Sequence, residues 1–136
     1  MNGRRIVAMA VVAAMGSVGW LAVPGSTPPV CAATPQASFQ EDVLPIFVGR
    51  CVACHTAPNG EGYQASGLDL TSYQGVMAGT KFGPMVIAGD PQNSNLMRLL
   101  DWRVAPQVRM PHNKKQLSSC DRSAIREWIR EGAKNN

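Results

Sequence analysis

Residues 51–55 constrain this chain most, because they place two thiols and an imidazole within a single turn of backbone. The stretch reads Cys51-Val52-Ala53-Cys54-His55. On a helical turn, positions i and i+3 share a face, so both sulfurs point to the same side. A Cys-x-x-Cys pair followed at once by His is the attachment signature of a c-type haem. Cys51 and Cys54 would each bind one vinyl group as a thioether, and His55 would ligate the iron.

Two other kinds of site use a Cys-x-x-Cys pair. A thioredoxin-like site follows a strand in a βαβ pattern, and no such pattern surrounds Cys51. A structural zinc site needs a second pair of ligands, whereas Cys31, Cys120 and His112 each stand alone in the sequence. The motif therefore favours one haem c, covalently bound through Cys51 and Cys54.

The amino terminus has the pattern of a secretory leader. Arg4 and Arg5 precede an uncharged apolar stretch, residues 6–23, which ends at Pro24. This stretch is also just long enough to span a bilayer if it is retained as an anchor. Membrane contact is expected only in that second case.

Small residues at 31–33 indicate where the leader would be removed. We expect cleavage after Ala33, so that residues 1–33 are a signal peptide and residues 34–136 form the mature domain. An earlier cut near Ala22 is the alternative. Because haem is attached to c-type cytochromes outside the bacterial cytoplasm, leader and motif agree, and both predict a periplasmic protein.

The two remaining cysteines would then lie in an oxidising compartment, where spare thiols tend to pair. Cys120 falls near the start of the last predicted helix, where the helix dipole lowers a thiol pKa. It could be reactive, or it could pair with Cys31 if the amino terminus is retained. The sequence favours a third interpretation, in which Cys120 is an unremarkable small side chain.

Length and charge exclude some classes of function. The 103 residues after Ala33 suffice for one compact domain. Of the 13 Lys and Arg, Arg4 and Arg5 leave with the leader, so 11 stand against 9 Asp and Glu, a balance of +2. No dense basic stripe of the kind that binds nucleic acid is present. The basic residues concentrate in the second half, which would suit an acidic redox partner or form solvated helix faces.

The rest of the chain predicts short helices. Ser38 and Glu41 form a capping box before an apolar stripe that Pro45 should kink or restart. After His55 a loop is predicted, in which the Pro58 carbonyl is a candidate partner for the second imidazole nitrogen. The apolar stripe consists of Phe39, Val43, Ile46 and Phe47.

Three later helices are predicted, and one long irregular segment. A second helix begins at residues 68–71 and ends at Gly79, and a third opens at Asp90. The last is capped by Ser118 with Asp121, carries Trp128 in its buried face and ends at Gly132. Residues 101–115 show no periodicity, and such a segment in so small a domain is usually functional.

The sixth iron ligand has several candidates. Met77 and Met97 lie on helical stripes, where core packing explains them. Met110 lies in the irregular segment before Pro111, and the residues alone favour it, with His112 next and Met85 or an open site after that.

Five stretches of this chain resemble the monohaem class I cytochrome c domains of planctomycete-type and related bacterial c-type cytochromes, over nearly all of residues 38–133. The resemblance implies an all-α, cytochrome c-like fold of about four to five short helices around one covalently bound haem. It also implies packing of the first helix on the last, with His55 and Met110 as axial ligands. His112 and Cys120 depart from the usual pattern, which has Pro and an acidic residue there. The stretches are Phe39-x-x-Asp-Val-Leu-Pro-Ile-Phe with Cys51-x-x-Cys-His, Gly67-Leu-Asp-Leu, Gly89-Asp-Pro-x-x-Ser, Arg109-Met-Pro and Trp128-Ile-x-x-Gly-Ala.

The expected function is therefore electron transfer rather than enzymatic catalysis. We predict an exported haem protein that carries single electrons between redox partners, such as a dehydrogenase, an oxidase or a respiratory complex. It would act either as a free carrier or as an electron-transfer subunit. The alternative is a haem enzyme or ligand-binding haem protein whose distal ligand is displaceable.

Overall fold

The computed structural model describes residue 31 and residues 36–136. The leader-like stretch and the expected cut after Ala33 lie outside these residues. Over the described part the fold is all-α, as predicted, with five α-helices, one π-helical segment and one 3-10 turn. Extended backbone pairs there only in an isolated bridge between Thr80 and Gly83. None of the helices within the described residues is long and apolar enough to cross a membrane.

The first helical stretch changes type part-way along. A π-helical segment, Phe39–Val43, runs directly into α1, Leu44–Arg50, with Pro45 in the first turn of α1. The predicted restart at Pro45 is confirmed, because a first turn does not need the amide that proline lacks. Phe39 and Val43 are buried, as the apolar stripe predicted.

The predicted capping box is half right. The Ser38 hydroxyl accepts from the Glu41 amide at 3.2 Å. The carboxylate that accepts from the Ser38 amide, however, belongs to Asp42 at 2.8 Å, not to Glu41. The cause is the wide π-helical turn, in which the Val43 amide bonds to the Ser38 carbonyl, so that the fitting carboxylate lies one residue later.

Two short helices follow the motif. The predicted loop is confirmed over residues 56–60, but α2, Glu61–Ser66, includes the last two residues of the predicted loop. α2 buries no side chain completely, which explains why it has no apolar periodicity. α3, Tyr73–Ala78, begins later than predicted, because Ser72 caps it by accepting from the Gly75 amide. It ends, as predicted, at Gly79, which has a positive φ of 77°.

The second half contains α4 and α5, and the irregular segment between them covers residues 101–118 in the structure. α4, Asn95–Leu100, begins five residues after the predicted opening at Asp90. The only helical turn between α4 and α5 is the 3-10 turn Pro106–Val108, so this stretch is as irregular as expected. α5, Ser119–Arg130, is capped by the Ser118 hydroxyl as predicted.

An aromatic cluster joins the two ends of the described chain. Phe39 lies with its ring centroid 5.3 Å from those of both Tyr73 and Trp128. The Gln40 amide donates to the Asn136 carbonyl at 3.0 Å. The first helical stretch therefore packs on the last, as the resemblance implied. Trp128 is 1% exposed and is a core residue, as predicted.

A disulfide adds a covalent link. Cys31 and Cys120 are bonded, with their Cα atoms 5.2 Å apart. The interpretation of Cys120 as an unremarkable side chain is therefore wrong. The bond fastens residue 31 to the first turn of α5, and it closes a loop across a sequence separation of 89 residues.

Candidate cofactor site

A cavity of about 780 Å³ brings together residues that are far apart in the sequence. Cys51, Cys54 and His55 line it from the motif, and Met110 lines it from the irregular segment. Its volume falls in the range of small-molecule and cofactor sites, roughly 300–1,000 Å³. Much of the remaining wall is apolar and includes Phe47, Leu68, Leu70, Leu96, Leu99, Leu100 and Val104.

The two motif thiols lie on one turn directly after α1. The amides of Cys54 and His55 both donate to the Cys51 carbonyl, at 3.0 and 2.9 Å. Cys51 is half-buried and Cys54 is exposed. Burial, followed by the neighbouring Cys54, raises the pKa of the Cys51 thiol to about 11. The Cys51 thiol is therefore protonated at neutral pH in the folded chain.

The imidazole of His55 is held through one nitrogen. Its Nδ1 lies 3.3 Å from the Leu68 carbonyl oxygen. The prediction that Pro58 supplies this carbonyl is wrong, because α2 returns the chain so that the Leu70 amide donates to the His55 carbonyl and Leu68 comes beside the ring. With the proton on Nδ1, the Nε2 lone pair is available to a metal.

The protonation of His55 suits a metal ligand. Burial lowers the pKa of the imidazole below its usual value, and the bond to the Leu68 carbonyl opposes this only in part. The ring is therefore neutral near neutral pH, which is the form that binds a metal.

Two glycines allow α2 to approach the motif closely. A Cβ on Gly62 would lie 2.7 Å from both Cε1 and Nε2 of His55. A Cβ on Gly60 would lie 2.3 Å from the Cys54 carbonyl oxygen. The backbone of α2 thus packs directly against the imidazole. Sequence reasoning missed Gly62, and the only signal was the glycine spacing in a stretch predicted as loop.

The cavity narrows the choice of sixth ligand. Met97 is fully buried in the core, and Met77 is partly buried and packs against the core. Neither residue lines the cavity. Met85, Met110 and His112 do line it. Three of the five candidates therefore remain, and the two that sequence reasoning assigned to core packing are the two that lie outside the cavity.

Hydrogen bonds hold Met110 at both polar groups of its backbone, whereas the bond that the structure shows for the Met85 backbone is at its carbonyl, from the Leu96 amide. The Met110 amide donates to the Leu99 carbonyl at 3.3 Å, and its carbonyl accepts from the indole Nε1 of Trp102 at 2.9 Å. His112 is exposed. Met85 is 6% exposed, within the core cluster. Trp102 is a further residue that sequence reasoning missed.

Basic side chains predominate around the cavity. Arg50, Arg98 and Lys114 line it, together with a single acidic residue, Glu61. Phe82, also in the lining, is 80% exposed and has the Lys81 ammonium 5.2 Å from its ring centroid. The cavity opening therefore combines positive charge with an exposed aromatic ring.

Residues 51–113 match the model of a protein family described as Planctomycete cytochrome C. The chain therefore contains a c-type cytochrome-like domain. The match covers a little under half of the chain and includes the motif, Met110 and His112. Searches of the curated proteins and of the solved structures returned no match.

The family implies haem c as the cofactor, and the site of this cytochrome domain fits such a group. The two thiols share a turn, the imidazole is neutral with Nδ1 held, and Gly62 leaves space for the ring. The apolar cavity has the size for a cofactor, and a methionine lines it. Cys51 and Cys54 would hold the haem covalently, and His55 would ligate its iron.

Proposed function

We propose that this protein is an exported monohaem cytochrome c that carries single electrons between redox partners, with His55 and Met110 as axial ligands. It would act free or as an electron-transfer subunit. The observation that carries the proposal is the cavity, which is lined both by the Cys51–His55 motif and by Met110.

When bound, haem c supplies a one-electron couple at its iron. His55 contributes a neutral imidazole whose orientation is set by the Leu68 carbonyl and by Gly62. Met110 contributes a soft thioether, which favours reduced iron and raises the reduction potential. The apolar lining limits water near the cofactor, which also favours the less charged state. None of these roles requires an acid, a base or a nucleophile.

The charges at the cavity support an acidic partner. Arg50, Arg98 and Lys114 outnumber Glu61, and Phe82 offers exposed apolar contact beside them. Positive charge around a redox site speeds encounter with a negatively charged partner and loses that effect at high salt. A dehydrogenase, an oxidase or a respiratory complex with an acidic surface would fit.

Periplasmic location is supported by two independent features. The sequence begins with a leader-like pattern. The Cys31–Cys120 disulfide requires an oxidising compartment to persist. Both features agree with attachment of haem c outside the cytoplasm.

Replacing Met110 by Ala tests the proposal. The variant should lose the long-wavelength thioether-to-iron absorption band of the ferric protein. Its reduction potential should fall by a substantial part of the roughly 0.8 V that axial ligands span. Covalent haem, measured by the pyridine haemochrome spectrum, should remain. An unchanged spectrum would falsify the assignment of Met110.

A second candidate function is a haem enzyme or ligand-binding protein with a displaceable distal ligand. Its support is that Met85 and His112 also line the cavity, so the sixth position has more than one possible occupant. The ferric wild-type protein separates the two candidates. A thioether band that persists in excess cyanide or peroxide favours the carrier, and rapid loss of the band favours the ligand-binding protein.

A further inference from the structure

The backbone of Met110 is held at both of its polar groups by the end of α4. Its amide donates to the Leu99 carbonyl at 3.3 Å. Its carbonyl accepts from the Trp102 indole Nε1 at 2.9 Å. Leu99 lies in the last turn of α4, and Trp102 lies two residues after the end of α4. Met110 is thus tied to a helix end, although its own segment is irregular.

Trp102 is itself fixed in place. Its φ of 58° is in the left-handed region, which a side chain of this size rarely adopts, so surrounding contacts must hold it. Its amide donates to the Leu99 carbonyl at 3.2 Å. The preceding Asp101 accepts from Arg126 of α5 at 2.8 Å with each carboxylate oxygen. The turn at Trp102 is therefore fastened to both helices that flank the irregular segment.

The indole ring is also held on its face. The guanidinium carbon of Arg109 lies 5.2 Å from the centroid of the Trp102 ring, within cation–π distance. Arg109 directly precedes Met110. The same two-residue stretch therefore contacts Trp102 twice, once over the ring and once at Nε1, and these contacts fix the direction of the N–H.

We propose that Trp102 is a positioning residue for the sixth ligand: its indole N–H holds the Met110 carbonyl and so keeps the thioether at the iron. The proposal rests on the proposed function, because it assumes that Met110 is the ligand. A thioether sulfur is a weak donor that competes with dissolved ligands. Freeing the Met110 carbonyl leaves the Leu99 bond as the one hydrogen bond of its backbone, so the sulfur should be displaced more readily.

The matched control comes from the same chain. Trp128 also donates its indole N–H to a backbone carbonyl, that of Lys134, at 2.8 Å. It lies in α5, is 1% exposed and does not line the cavity. Trp102→Phe and Trp128→Phe therefore each remove one indole–carbonyl hydrogen bond and keep an aromatic ring, but only the first removes a bond to Met110.

The experiment titrates ferric holoprotein with imidazole and follows the loss of the thioether band. Trp102→Phe should raise the imidazole affinity roughly fivefold to tenfold, the value of one hydrogen bond. Trp128→Phe should leave the affinity at the wild-type value while it lowers the unfolding temperature. An unchanged affinity in Trp102→Phe, or an equal rise in both variants, would overturn the proposal.

Two further outcomes keep the test decisive. If Trp102→Phe gives no holoprotein, Arg109→Met removes the contact over the ring and should raise the affinity in the same direction by a smaller factor. No rise in that variant also overturns the proposal. If the wild-type protein shows no thioether band, the proposed ligand fails and the role of Trp102 fails with it. If the wild-type protein shows the thioether band and the variants keep the wild-type imidazole affinity, the role of Trp102 is rejected while Met110 remains the proposed ligand.

Discussion

The motif region, residues 51–70, and the irregular segment, residues 101–118, both contribute to the same cavity but are built differently. In the motif region, backbone amides hold the carbonyls of the motif: Gly62 and Tyr63 donate to the Cys54 carbonyl, and Leu70 donates to the His55 carbonyl. The irregular segment also has backbone hydrogen bonds, but there a side chain holds the carbonyl of the candidate ligand, because the Trp102 indole donates to the Met110 carbonyl. Further side-chain bonds join Gln116 to the Leu100 carbonyl and Arg126 to Asp101.

This difference means that the position of the His55 imidazole depends less on individual side chains than the position of the Met110 thioether does. A backbone bond survives most substitutions, because every residue other than proline has the same amide and carbonyl. A side-chain bond is lost with one substitution. We therefore expect the imidazole of His55 to stay in place across related sequences, and the thioether to be the ligand that single substitutions tune.

The largest expected difference between the two regions is in the effect of removing the ligand that each one contributes. His55→Ala leaves the haem without the ligand that the motif region presents, so we expect little folded holoprotein and no low-spin spectrum. Met110→Ala should keep the covalent haem and lose only the thioether band. Yield of covalent haem and the absorption spectrum, measured side by side, check this. A wild-type spectrum in His55→Ala would contradict the assignment of the motif region.

The sequence predicted local features well. Cys51, Cys54 and His55 lie within five consecutive residues, so their chemistry follows from their spacing alone. α5 was predicted with its cap because it combines an apolar face at helical spacing with Ser118. α2 was missed because it is six residues long and buries no side chain completely, so it leaves no periodic signal.

Contacts that depend on folded geometry could not be predicted. The partner of His55 is Leu68, which required knowing that α2 turns the chain back. The role of Trp102 depends on its left-handed backbone, which no pattern indicates for tryptophan. The Cys31–Cys120 bond joins residues 89 apart, and it was one of three interpretations of Cys120, since sequence alone does not give disulfide pairing.

Loss of the disulfide should have the next largest effect. Cys120 lies in the first turn of α5, where the irregular segment ends. A disulfide typically stabilises a fold by about 2–4 kcal/mol, chiefly by restricting the unfolded chain. Cys120→Ser should lower the free energy of unfolding by that amount, and it should weaken Met110 ligation more than His55 ligation. Denaturant unfolding and the thioether band, followed together, measure both.

Reduction of the wild-type holoprotein is the control for that variant. The thiols of Cys51 and Cys54 would be consumed by haem, so a reductant, followed by alkylation of the freed thiols and reoxidation of the haem iron, should reproduce the effect of Cys120→Ser. A disulfide-linked chain would include Cys31, which agrees with leader removal near Ala22 or with a retained amino terminus and disagrees with a cut after Ala33. An intact mass that begins at Thr34, with no disulfide-linked peptide, would contradict the link.

The smallest effect should come from a single methyl group in the motif region. Gly62→Ala places a Cβ 2.7 Å from the His55 ring. Overpacking of this kind lowers the free energy of unfolding by about 1–3 kcal/mol. Alanine in place of a helical glycine raises it by up to about 1 kcal/mol. Gly49→Ala in α1 has nothing within 4 Å of the new Cβ, so it measures the helical gain alone. The difference between the two variants in free energy of unfolding isolates the clash. Only Gly62→Ala should shift the reduction potential and the electron paramagnetic resonance spectrum. Equal behaviour of the two variants would mean that the close approach of Gly62 does not hold the imidazole in place.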